Sequence, residues 1–285
     1  MEFITRKAGM DDVPRLGEIE KGTLPRFNGY TYENRHLFIE QQGQRGEMTI
    51  ARPAGTPDEP ASYVGIGQFS VMPDGSGWME CLRILPEYQR KGAGRAIYKR
   101  YMELAEEYDV PHVGMFTDNG NVASKALAEL HGFRVVASFD EYTLPLADVE
   151  TEMPAGFEQV TDRETAAKAL DDHEGFGDHI VFNRTYLHYG PAVYDWLIER
   201  GMVWSDGENL LVLGARMLEE RGWFMAFWKG DTDRCLDFAI AKTKEAGLPA
   251  LGVNFPSERD DLKAYFESKG FRPVYSTIVM ELKRK

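Results

Sequence analysis

Cysteine is nearly absent from this 285-residue chain: it holds two, Cys81 and Cys235, far apart and in unlike contexts. So sparse a set excludes a disulfide framework and predicts two buried, reduced thiols. Long apolar runs are missing too, and none approaches the roughly 20 residues that a membrane-spanning helix requires. The charged start MEFITRKAGMDD has no signal-peptide core. Positive charge is in short supply: 33 Lys and Arg stand against 46 Asp and Glu, and the formal net charge of −13 is spread evenly over the chain. Without a concentrated basic face, binding of DNA or RNA is disfavoured, whereas a cationic small molecule suits the field. The expectation is a cytoplasmic protein with neither a membrane nor a nucleic-acid partner.

Apolar residues make up 43% of the chain, enough for a packed core in one or two domains. FITRKAGMDDVPRLGEIEKG reads as a strand and a helix, with Asp11 or Asp12 as N-cap and Pro14 in the first turn. EMTIA, ASYVGIGQFSVM and GWMECLRIL then read as three strands, separated by RPAGTPDEP and PDGSG. A long helix, strand HVGMF, helix VASKALAEL and strands FRVVASF and EYTLPL complete the first half. That order predicts an α+β fold, with helices flanking a mixed, largely antiparallel sheet.

The pattern then recurs at a fixed offset of 138 residues. KALAELHGFRVVAS (125–138) lies on KAYFESKGFRPVYS (263–276), and VPHVG (110–114) on LPALG (248–252), both without a gap. A Pro, two Gly and a Phe in register across two elements point to internal duplication. The polar stretch LADVETEMPAGF supplies the linker. We therefore expect domains over 1–146 and 157–285, joined by residues 147–156.

The stretch RILPEYQRKGAGRAIYKRYMELAEEYDV (83–110) reads as a strand end, a glycine loop and a helix. It lacks the G-x-x-x-x-G-K-[ST] order of a nucleotide P-loop, and Ile97 stands where a dinucleotide fingerprint needs its third glycine. What remains is an ordinary turn or an anion cradle, in which the N–H groups of residues 90–95 face an acid group at the positive end of the helix. Arg90, Lys91 and Arg95 add charge suited to two or more phosphates.

ILPEYQRKGAG resembles the V-x-P-x-x-Q/R-x-x-G-x-G/A segment of the GNAT superfamily of N-acyltransferases, with Gln89, Gly92 and Gly94 in the diagnostic places. A second family element appears as NVASKALAELHGF, carrying Asn121, Leu127, Gly132 and Phe133. The resemblance covers residues 3–145 well and 157–282 in outline, an organisation similar to tandem members such as the mycothiol synthases. It implies two GNAT-like domains and acetyl-CoA as co-substrate. The pyrophosphate would lie on Gln89, Arg90, Lys91, Gly92, Ala93, Gly94 and Arg95, and the pantetheine arm on the backbone of Leu82, Arg83 and Ile84, with Asn121 helping. A primary amine would attack directly in a ternary complex, and no metal is implied.

An ammonium must lose a proton before it attacks. Glu80 is the candidate base, placed on the face of Ile84 by the period of two and next to Trp78 and Leu82, with Asp118 as second choice. The tyrosine with which this family often protonates the departing thiolate is replaced by Ala128, which leaves Ser124 or solvent as the acid. The same departure admits a coenzyme A-binding sensor, or a scaffold, without catalysis. Tyr30, Tyr32 and Glu33, with His36 nearby, are candidate substrate contacts. DDHEGFGDH (171–179) has the composition but not the spacing of a metal site, and reads as a solvated loop. Trp196, Trp204, Trp223 and Trp228 read as packing residues. At the same offset QRKGAGR falls on FWKGDTD (227–233), where Thr232 replaces Gly94 and Asp233 replaces Arg95, so one acyl-CoA per chain is expected.

Overall fold

The computed structural model describes residues 1–23, 30–40 and 45–284. The chain forms two compact units: Met1–Met115 with Val122–Arg134 and Met280–Lys285, and Phe116–Asn121 with Val135–Val279.

In chain order the first unit is built from β1 (Phe3–Lys7), α1 (Val13–Thr23), α2 (Tyr30–Glu33), β2 (Gly46–Pro53), β3 (Gly65–Val71), β4 (Gly77–Ile84), α3 (Ala93–Glu107), the first part of β5 (His112–Asp118) and α4 (Val122–Leu130). Strands β1 to β4 pair antiparallel in sequence order, and β4 pairs parallel with β5. Helix α3 buries Ile97, Tyr98, Tyr101, Leu104 and Ala105, the i, i+1, i+4, i+7, i+8 stripe of an amphipathic helix. Ile97 and Leu104 each contribute about 1.5–3 kcal/mol on removal from water. The stripe lies close against the sheet at Gly67, where a Cβ would fall 1.9 Å from the Tyr101 hydroxyl. Asp12 does not cap α1 as the sequence suggests. Its carboxylate turns back to accept the Gly9 N–H at 2.8 Å and to pair with Arg6 at 2.9 Å, so the helix follows a short 3-10 turn.

The second unit comprises most of β6 (Arg134–Pro145), then β7 (Glu158–Gln159), α5 (Arg163–Leu170), β8 (His179–Phe182), β9 (Thr185–His188), α6 (Pro191–Glu199), β10 (Val203–Ser205), β11 (Leu210–Gly214), β12 (Trp223–Lys229), α7 (Thr232–Glu245), β13 (Ala250–Pro256), α8 (Asp260–Ser268) and most of β14 (Arg272–Lys283). Its strands run in the order β6-β13-β12-β11-β10-β7, and β8–β9 form a separate hairpin. Only β12–β13 is parallel among the pairs of this series. The core gathers Leu211, Met225, Leu236, Phe255 and Phe266 around α7 and α8, and Trp204, Trp223 and Trp228 pack with it. Trp196 packs edge-on to Phe182 instead.

Three elements repeat at the offset read from the sequence. Strand β5 maps onto β13, helix α4 onto α8, and strand β6 onto β14, each residue for residue at 138 positions. The architecture is α+β, with largely antiparallel sheets flanked by helices.

Candidate active site

The candidate site grows from an irregularity in β4. Its register with β3 runs Ile84↔Gly65, Arg83↔Ile66 and then Glu80↔Gln68, so two residues, Cys81 and Leu82, stand opposite Gly67 alone. An extra residue of this kind is a β-bulge, which breaks the ladder and re-aims the groups beside it. Cys81 takes a left-handed conformation, φ 56°, a strain on the order of 1–3 kcal/mol for a residue with a Cβ. The Tyr101 hydroxyl reaches the Glu80 carbonyl at 3.3 Å just before it, through the space Gly67 leaves. Burial pushes the Cys81 thiol well above its usual range, and the neighbouring Glu80 and Glu20 charges add to this against Arg83. That thiol is no nucleophile.

The bulge corrects one expectation. Period-two counting puts Glu80 on the face of Ile84, but the extra residue reverses the phase. Directly opposed residues share a face, so Glu80 stands with Gln68, Ile66 and Arg83, and Ile84 with Gly65 and Gly67 on the α3 side. Glu80 is 6% exposed, and its Oε1 accepts the Ser70 hydroxyl at 3.1 Å. Ser70 Oγ in turn accepts Gln68 Nε2 at 3.1 Å. No motif in the sequence marks Gln68 and Ser70. The alternating GIGQFS run gives them a face, but only the register places that face beside Glu80.

On its other edge β4 pairs with β5 only at Gly77↔Val113 and Trp78↔Gly114 among the described residues. Beyond Trp78 the two strands stop hydrogen-bonding, which leaves that edge of Leu82, Arg83 and Ile84 without a β5 partner. The Arg83 guanidinium donates back to the Leu82 carbonyl at 3.0 Å.

The chain then turns through Pro86–Tyr88 into the loop. Gln89 Nε2 donates to the Ile84 carbonyl at 3.0 Å and ties the loop to the strand end. Arg90 has φ 58° and Gly92, the N-cap of α3, has φ 109°, where a side chain would be strained. Among the described residues, the backbone N–H groups of Arg90, Gly92, Ala93, Gly94 and Arg95 meet no acceptor. Successive free N–H groups at a helix N-terminus form an anion-binding concavity. Arg90, Lys91 and Arg95 are all exposed around it. A Cβ on Gly94 would lie 3.3 Å from Leu127, so this glycine also sets how closely α3 and α4 approach.

The other predicted residues are more scattered. Ser124 is half-buried on α4, and Ala128, on the same helix, is fully buried where the family often has its tyrosine. Asn121 is exposed and, like Asp118, belongs to the segment Phe116–Asn121 of the second unit. Glu33 and His36 are exposed, while Tyr30 and Tyr32 are side chains outside those described. In the 171–179 loop His173 stacks on Tyr189 at 4.1 Å, whereas His179 is buried in β8, so the two histidines do not act together.

The second unit offers the counterpart loop, and it is built differently. Strand β12 also carries one extra residue, Ala226, between Phe227↔Val212 and Met225↔Leu213. Only Gly230 and Asp231 then separate β12 from α7, against Leu85–Gly92 between β4 and α3. Phe227 and Trp228, which the offset sets against Gln89 and Arg90, are buried strand residues. The loss is therefore a shortening rather than a series of substitutions. What remains is occupied from within: Asp231 caps α7 through the Arg234 N–H at 3.1 Å, and Asn209 Oδ1 takes the Asp231 N–H at 2.7 Å.

A bulged strand beside an unpaired edge, leading to a helix with a free, glycine-capped N-terminus, is in keeping with the GNAT fold. The acetyltransferase (GNAT) family profile matches residues 17–133, within the first half of the chain. Among solved structures it resembles a GCN5-related N-acetyltransferase from Sphaerobacter thermophilus: 12% identity, TM-score 0.64, covering 99% of this chain and 95% of that one. It also resembles a tandem GNAT protein from the clavulanic acid biosynthesis pathway, at 13% identity and TM-score 0.59, covering 99% and 98%. A third is the GCN5-related glucosamine N-acetyltransferase region of a fungal multi-domain β-N-acetylglucosaminidase, at 14% identity and TM-score 0.69, covering 99% of this chain and 38% of that one. At such identities these neighbours speak for the fold alone. No curated protein matches the chain in sequence. Among the described residues no helix is long and apolar enough to cross a membrane.

Proposed function

We propose that the first unit binds one acetyl-CoA and transfers its acetyl group to a primary amine by direct attack in a ternary complex. The observation that carries this reading is the set of N–H groups of Arg90 and Gly92 to Arg95 at the start of α3, unpaired among the described residues, next to the edge of β4 that β5 leaves unpaired. The N–H groups receive the pyrophosphate, and Arg90, Lys91 and Arg95 neutralise it. The backbone of Leu82, Arg83 and Ile84 pairs with the pantetheine arm. A strand N–H at the bulge polarises the thioester carbonyl as its oxygen gains charge.

The amine loses its proton to Glu80, directly or through a water held with Ser70, and attacks the carbonyl carbon. The tetrahedral intermediate expels the coenzyme A thiolate, which takes a proton from Ser124 or solvent. Tyr30, Tyr32 and Glu33 of α2 contact the acceptor. An amine bearing further positive charge suits the net charge of −13. Thiol release from acetyl-CoA across polyamines, aminoglycosides, amino acids and peptide N-termini tests the proposal. Turnover with one class identifies the acceptor, and acetyl-CoA binding without turnover on any of them would refute transfer to amines of these classes.

A further inference from the structure

The face of β4 that carries Glu80 also carries a guanidinium with no acid to meet it. Arg83 stands opposite Ile66 and Glu80 opposite Gln68, so the two side chains leave one face at neighbouring positions, about 7 Å apart along the strand. Ile84, the next residue, turns to the other face, toward α3. Arg83 is half-buried, and among the described residues it forms no ion pair. Its Nη1 donates to the Leu82 carbonyl at 3.0 Å, while its Nε is buried and meets no acceptor. Other half-buried arginines of the first unit are matched: Arg6 with Asp12, Arg15 with Glu18, Arg52 with Asp58 and Arg100 with Glu47. Arg284 rests on the carbonyls of Ala105 and Val110 instead. Arg100 grips the two Glu47 oxygens through Nε at 2.9 Å and Nη2 at 2.7 Å. The same edge of Arg83 has no acceptor among the described residues.

We propose that Arg83 binds a carboxylate of the acceptor, so that the first unit acetylates free amino acids, with the acid group on Arg83 and the amine at Glu80. This names the substrate class of the acyl transfer proposed above and rests on it. A donor left unpaired in a partly buried place is costly, and more so when it is charged. A carboxylate meets Nε and Nη2 with two parallel hydrogen bonds and supplies the missing counter-charge. Among the described residues only the Leu82 carbonyl holds the guanidinium by a hydrogen bond, so the side chain can turn that edge to a ligand. Glu80 and Arg83 then fix the two ends of one small molecule and aim its amine. The charges of a zwitterion cancel at a distance, so the net charge of −13 does not repel it. The pantetheine arm uses the backbone of Arg83 and not its side chain, which leaves the guanidinium to the acceptor.

The test compares acceptors with and without the acid group. Thiol release from acetyl-CoA is measured with free amino acids, with their carboxamides, and with polyamines and aminoglycosides. For the preferred side chain, the free amino acid should exceed its carboxamide in kcat/KM by about 10²-fold or more, because the carboxamide leaves the guanidinium unpaired. Arg83→Met keeps an unbranched apolar stem and removes the charge. It should lower kcat/KM for the amino acid to that of its carboxamide, with the dissociation constant for acetyl-CoA within about threefold of wild type. A preference for the amino acid that survives in folded Arg83→Met would overturn the proposal. A larger loss of acetyl-CoA affinity in that variant would also overturn it, by giving the guanidinium to the cofactor. Should Arg83→Met fail to fold, the wild-type chain decides alone. Equal use of amino acid and carboxamide, or turnover confined to polyamines or aminoglycosides, would overturn the proposal and leave acyl transfer standing. Failure of the wild-type chain to bind acetyl-CoA, or to release thiol with any of these amines, would instead overturn the proposed function.

Discussion

The two strand-to-helix connections start from one plan and end differently. Each follows a strand with one extra residue, and each leads to a long helix through a glycine with positive φ, Gly92 at 109° and Gly230 at 99°. The first leaves its helix N-terminus open. The second is too short to make a cradle, and spends its N–H groups on Asp231 and Asn209. In the first, the residue before the extra pair is Glu80. In the second it is Met225, fully buried in the core. A fold can therefore persist after the site on it is gone, because packing and ligand binding are carried by different residues.

The largest effect should fall on Glu80. Glu80→Gln makes that position as inert as Met225 while keeping its shape. We expect the rate at low amine concentration to drop about 10²–10⁴-fold, with the acidic limb of the pH profile altered. A wild-type profile would move the role to water.

Next comes the loop itself. Deleting Pro86–Lys91 gives the first connection the two-residue length of the second. Acetyl-CoA affinity should fall about a hundredfold or more, roughly 2.8 kcal/mol. Titration calorimetry of the wild-type chain should give a stoichiometry near one, and two equivalent sites would erase the contrast drawn here.

The third prediction concerns the plug in the second loop. Asp206 is buried, which by itself raises its pKa. The Arg234 guanidinium at 2.6 Å outweighs this, together with N–H donors of Asn209 and Glu208, and holds the carboxyl well below the usual carboxylate range. A depressed folded-state pKa stabilises the native state above the unfolded value, near 4, and the contribution is lost as pH falls below it. Asp206→Asn should cost about 1.5–3 kcal/mol at neutral pH, and the deficit relative to wild type should shrink on acidification. Chemical denaturation at pH 7 and pH 3 measures both, and a constant deficit would place the stabilisation elsewhere.

The smallest expected effect is the most selective. Gly94→Glu carries a negative charge to the cradle and should weaken acetyl-CoA binding about tenfold, roughly 1.4 kcal/mol. Gly94→Ala makes the same 3.3 Å contact with Leu127 without charge, and should bind within threefold of wild type. Equal losses in both would show that packing between α3 and α4, not repulsion, sets the affinity.

Local sequence determined a good deal. Turn residues, apolar periodicity and an ungapped repeat are short-range signals. They were enough to read the α+β order, the glycine loop before α3 and the 138-residue recurrence, which three elements follow residue for residue. The tertiary structure decided what depends on pairing. One extra residue in β4 reversed the face of Glu80, because side-chain direction in a strand follows register rather than counting. The second loop's shortening was hidden, since β12 fills the sequence positions that an ungapped offset assigns to a loop. Glu20 and Thr31 belong to no motif, and only the packing of α1 against α2 joins them. The end of the chain likewise belongs with the first unit, where Arg284 donates to the carbonyls of Ala105 and Val110. Periodicity reports which residues want burial. Which partner buries them, and in what register, is settled by contacts that no local window contains.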